Sequence, residues 1–120
     1  MDDYANLVTA MKALTQGEGN DTITLLMAED EWETRPEANS YGTIRLDFEV
    51  DPLNGDDKKV CRAFEGSVDL FSRSRNGDGW IAEIETTLAA YCDSAWQLNL
   101  RAYEHETRLF HWEWSFQVEG

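Results

Sequence analysis

Residues 64–118 read FEGSVDLFSRSRNGDGWIAEIETTLAAYCDSAWQLNLRAYEHETRLFHWEWSFQV. Their pattern is strand, helix, strand, strand. Over 64–71, Phe64, Val68 and Leu70 share one face, together with Val60 just upstream. Gly66 interrupts that face, which predicts a bulge or a close helix approach. Phe71 falls on the opposite, polar face beside Ser67 and Asp69, as a candidate exposed aromatic. The polar break at 72–79, SRSRNGDG, ends the strand. A helix follows over about 79–92, with Asp78 as its N-cap. Its buried stripe is Trp80 or Ile81, Ile84, Leu88 and Tyr91 or Cys92, while Glu83, Glu85 and Thr87 face water.

The last two segments alternate strongly. Trp96, Leu98, Leu100 and Ala102 share one face, and Phe110, Trp112, Trp114, Phe116 and Val118 share another. If both faces meet one core, even residues oppose even residues. The register chosen sets Ala102 opposite Trp112 and Leu100 opposite Trp114, turning through Glu106–Arg108. On its outer face Arg101 pairs with Glu113, a contact worth up to about 1 kcal/mol, and Tyr103 pairs with His111.

Upstream, residues 2–15 predict a helix with Tyr4, Leu7, Val8, Met11 and Leu14 in one stripe. Gly17 and Gly19 stop it. ITLLMA, 23–28, is a short strand. Residues 28–40 show neither period and form a loop, a length that often carries function. Trp32 stands there among acids. It either caps the core, the reading taken first, or anchors a partner. In the strand 41–50, Ile44, Leu46, Phe48 and Val50 point one way, and Thr43, Arg45, Asp47 and Glu49 the other. The turn-rich segment 51–59 makes a loose hairpin or a projecting loop. The expected fold is one α+β domain over 1–120: an antiparallel sheet of about four to five strands with two helices on one face.

The charge is the strongest compositional signal. Twenty-four acids against ten bases give −14. That disfavours binding to a nucleic-acid backbone and to anionic membrane surfaces. It suits solubility, mimicry of nucleic acid toward a basic partner, or a surface past which DNA slides. With 42% hydrophobic residues and five Trp, the chain is globular. No apolar run approaches the roughly 18 residues of a membrane span, and MDDYANLVTAMKAL lacks the basic start of a signal peptide. Cys61 and Cys92 read as two reduced core residues, a disulfide being the alternative.

No motif announces chemistry. His105 and His111 share an outer face with no third ligand at metal spacing, so they read as surface histidines. The acid clusters at 29–33 and 56–57 lack the ligand alternation of a calcium loop. Ser72 and Ser74 have no nucleophile elbow. NGDG, 76–79, superficially resembles a phosphate-cradling turn but lacks its Lys and Ser/Thr. Nothing singles out a catalytic residue, a metal or a cofactor. Arg73 and Arg75 form a small basic spot. They either pair locally with Asp78 or Glu83 or contact an acidic loop of a neighbouring subunit.

At SVDLFSRSRNGDGWIAEIETTL, 67–88, the sequence resembles the tail-terminator, tail-completion and head-tail joining proteins of long-tailed bacteriophages. The likeness lies in Val68, Asp69, Leu70, Phe71 and Ser72 before a polar turn, then Ile81, Ile84 and Leu88 in a helix, then the hairpin 96–118. The resemblance implies a non-enzymatic virion protein without a cofactor. It implies a ring, typically a hexamer, at the head-proximal end of the tail, made in the host cytoplasm. Its partners would be its own copies, the tail-tube protein and the head connector, with no membrane. DNA would pass an acidic lumen without specific binding. Candidate contacts, chosen from exposed chemistry, are Trp32, Phe71, Arg73, Arg75 and the loop 51–59. The alternative is an acidic binding module, an inhibitor or immunity-type mimic of nucleic acid. A small α+β enzyme is a third class, and it would need a pocket with convergent polar groups.

Overall fold

Helix α1, Asp3–Lys12, buries Tyr4, Leu7, Val8 and Met11 along the stripe that the spacing predicts. Asp3 in its first turn and Lys12 in its last both suit the helix dipole. The computed structural model describes residues 3–50 and 63–119; the loop 51–59, Val60 and Cys61 lie outside them. The helix ends before Thr15, because the chain turns there into strand β1, Thr15–Gln16, paired antiparallel with β2, Ile23–Thr24. Gly17 makes the reversal at φ 95°, where a side chain would run into the Asp21 carbonyl.

The single strand expected at 23–28 is therefore two. After β2, Leu25 turns inward, and β3, Leu26–Glu29, joins a second sheet. That sheet also holds β4 (Ser40–Val50), β5 (Ala63–Ser72), β6 (Trp96–Glu104) and β7 (Leu109–Glu119), in the order β3-β4-β5-β7-β6. Helix α2, Trp80–Cys92, links β5 to β6. The sheet is mixed rather than purely antiparallel. The chain returns from the end of β3 through residues 30–39 to the start of β4, so these two strands run parallel. The other three pairings are antiparallel.

One face of the sheet makes the core. Ile44, Val68, Leu70, Trp112, Trp114, Phe116 and Val118 pack with α1 and α2 through Leu7, Met11, Trp80, Ile84 and Leu88. The expected α+β class, with both helices on one face, is what the chain adopts. The bulge expected at Gly66 lies in the partner strand, where the β4 register shifts just after Leu46; Gly66 itself makes a close approach to a ring rather than a helix, since a Cβ would come 2.6 Å from the Phe116 ring. Cys92 is a buried free thiol, pushed by burial and then by the Asp93 and Asp3 charges up to about 12. No described helix is long and apolar enough to cross a membrane.

Two bulges overturn expected faces. Between Leu46 and Phe48 the β4 register slips by one, so Phe48 lies opposite Glu65 and is 55% exposed instead of joining Ile44. In β6 the slip lies between Leu98 and Leu100. Leu98 opposes Trp114, but Leu100 opposes Glu113 and Arg101 opposes Trp112. The expected Ala102–Trp112 and Arg101–Glu113 pairs do not form. Ala102 faces His111, and Tyr103 faces Phe110 with ring centroids 4.9 Å apart. On α2, Thr87 is buried, and Glu85 is half-buried and accepts from Trp114 Nε1 at 2.9 Å, so neither simply faces water.

Candidate functional site

The sheet face away from the helices was expected to be polar, with Phe71 exposed on it. Odd-numbered residues of β4, β5 and β7 meet there instead and partly close it. Tyr41, Phe71 and His111 are direct register neighbours on three strands. Tyr41 stacks on Phe71 at 5.3 Å, and Phe71 stacks on the His111 ring at 4.3 Å. Trp32 closes the row edge-on to Tyr41 at 6.4 Å, and its Nε1 donates to the Gly42 carbonyl at 3.0 Å. Trp32 thus folds back onto its own sheet, and Phe71 is half-buried inside a ladder.

Beside the ladder runs a charged chain. Asp69, only 4% exposed, accepts from His111 Nε2 at 2.6 Å and from Arg45 Nη1 at 3.1 Å. Arg45 Nε also reaches Asp47 at 2.9 Å, and its Nη2 lies 3.5 Å from Glu113. Ser67 Oγ donates to Asp47 at 2.6 Å. The other His111 nitrogen meets Glu104 at 2.9 Å. Burial alone would lower the His111 pKa, but the bond to Asp69 and the charges of Asp69 and Glu104 outweigh it and raise it. In its protonated form His111 donates from both ring nitrogens, one to each carboxylate, and that imidazolium has no lone pair to offer a metal. Arg45 follows the same logic: burial lowers its pKa, while Asp47 and Asp69 raise it. The arrangement ties four strands together. His111 is not the surface histidine expected, and His105 sits apart in the 105–108 turn against Tyr103. Among the described residues no group of three or more His, Cys, Asp or Glu is arranged to hold a metal ion.

At one end of the ladder the turn after β5 carries Arg73 and Arg75, both exposed. Neither enters an ion pair among the described residues. Asp78 is not the α2 N-cap. It sits at φ 57° inside a one-turn 3-10 segment, Gly77–Gly79, while Gly79 takes the cap position. Its carboxylate accepts from Ser40 Oγ and from Asn39 Nδ2, each at 2.6 Å. Burial would raise the Asp78 pKa, and the bonds from Ser40, Asn39 and Ser74 overcome it and lower it. Arg73 is fixed by its backbone N–H on the Asn39 carbonyl at 2.8 Å. The Tyr41 phenol is raised by burial, with Arg35 and Arg73 close enough to pull the other way. Arg35 and Arg73 thus converge on one end of the sheet, with Arg75 two residues on.

Sequence reasoning singled out Trp32, Phe71, Arg73 and Arg75 as contacts for a partner; it did not foresee that Trp32 and Phe71 pack against Tyr41 and His111, beside the buried Asp69. The odd-numbered alternation of Asp69–Phe71 and of His111–Glu113 was the available signal. No protein-family model matches the chain, and no curated protein matches it.

Proposed function

We propose that this chain is a non-enzymatic structural subunit of a tailed phage or prophage, closing into a hexameric ring at the head-proximal end of the tail. The observation that carries this is the pair of open sheet edges. On one side β6 exposes Leu98, Leu100 and Tyr103; on the other, the chain around β3 exposes Ile23 and Leu26. Unlike edges on opposite sides favour head-to-tail contacts, which form a ring when the rotation between copies closes and a filament when it does not. Exposed apolar side chains on the nine-residue β6 edge are also a liability for a monomer. The charge of −14 suits a lumen that repels DNA. The alternative, an acidic mimic of nucleic acid, has less support, because Asp47, Asp69, Glu104 and Glu113 are already engaged by Arg45 and His111. Native mass spectrometry and negative-stain microscopy test the proposal, with the protein alone and with tail-tube protein. Rings are the expected outcome. A monomer under both conditions, with salt-sensitive binding to a basic nuclease, would establish the alternative.

A further inference from the structure

A groove of about 640 Å³ opens beside β3. Such a volume lies within the range of about 300–1,000 Å³ typical of binding sites. Ile23, Leu26 and Trp80 supply apolar walls, and Asn39, Asn76 and Asp78 supply polar groups. Ile23 is 60% and Leu26 43% exposed, so the mouth is apolar. Two exposed arginines free of ion pairs among the described residues adjoin groove-lining residues, Arg73 by its backbone bond to Asn39 and Arg75 by its place before Asn76.

The opposite edge carries the complement. Tyr103 on β6 is 42% exposed, and the 105–108 turn beyond it is exposed throughout. Of its carboxylates, Glu104 is held by His111, while Glu106 enters no ion pair among the described residues. The two features lie at one level of the sheet. Register runs Leu26, Tyr41, Phe71, His111, Ala102 straight across the strands, and Tyr103 is next to Ala102.

We propose that the groove beside β3 receives the β6–β7 hairpin tip of a second copy, with Tyr103 seated between Ile23 and Leu26 and Glu106 meeting Arg73 and Arg75. This rests on the ring reading and assigns its contact. Arg108 on the same tip is matched by Asp78, the carboxylate that lines the groove. Because groove and tip lie on opposite edges, each copy offers one to each neighbour, and the contact repeats head-to-tail.

The test is a charge swap read by sedimentation velocity at 0.15 M salt, with far-UV circular dichroism to confirm folding. Arg73→Glu with Arg75→Glu should weaken assembly at least about tenfold, as should Glu106→Arg. Combining all three should restore it. Tyr103→Ser and Leu26→Asn, both at exposed positions, should each weaken assembly without changing the charge. If the wild type assembles and both charge variants match it, or if the combination recovers nothing, the docking is wrong while the ring stands. If the wild type stays monomeric even with tail-tube protein, both are wrong.

Discussion

The two ring nitrogens of His111 meet carboxylates on neighbouring strands, Asp69 on β5 and Glu104 on β6. Its folded pKa is raised above the ordinary 6.5. A raised pKa stabilises the fold fully below the unfolded value and loses that contribution as pH rises through the folded one. Charge-assisted hydrogen bonds contribute about 1.5–3 kcal/mol when buried. Glu104 is 37% exposed, so its share is the smaller and Asp69 dominates. His111→Ala should therefore cost about 2–4 kcal/mol at pH 5.5 and clearly less at pH 9. Urea unfolding of both proteins at the two pH values checks this, and an equal loss at both would remove the charge from the explanation. At this scale the sequence was half legible. Asp69, Phe71 and His111 alternate onto one face in plain view. The burial of Asp69 was not visible, because it depends on Arg45 and His111, carried on strands distant from it in the chain.

Gly66 shows what the strands demand of one another. It stands opposite Phe116, whose ring occupies the space a side chain would need, and beside the Arg45 carbonyl. Overpacking of this kind costs about 1–3 kcal/mol. Gly66→Ala should lower the thermal midpoint accordingly, and adding Phe116→Leu should recover part of the loss. Additive losses in that cycle would mean the two positions do not share the space. The even-numbered apolar stripes of β5 and β7 were readable from alternation, as were both helices. The faces of β4 beyond Leu46 and of β6 beyond Leu98 were not. The β4 slip lies opposite Gly66, where the glycine signalled a bulge but not which strand carries the extra residue; the β6 slip has no glycine to mark it, and one slip moves every later side chain to the other face. Glu113 consequently lies near Arg45 of β4, two strands away, rather than paired with Arg101. The parallel β3–β4 pairing was equally hidden, since a ten-residue return carries no crossover helix to betray it.

For the whole molecule, charge is the property the sequence states most directly, and the arrangement of edges is the one it conceals. The two act against each other in the proposed ring. Each copy brings −14 to its neighbours, whereas the docking contact offers a few opposite charges at its rim. Rim pairs contribute about 0–1 kcal/mol and weaken with salt, but the general repulsion weakens too, with a screening length of about 10 Å at 0.1 M and about 3 Å at 1 M. Repulsion involves far more charges than the contact, and the apolar seating of Tyr103 does not need low salt. Assembly should therefore strengthen between 0.05 M and 0.5 M sodium chloride, with sedimentation velocity reporting a larger ring fraction at the higher salt. Across the same range, double-stranded DNA should show no retardation with the protein in a gel-shift assay, because no salt in that range turns the net repulsion into attraction. A ring that instead fell apart as salt rose would place the binding energy in ion pairs rather than in the apolar groove.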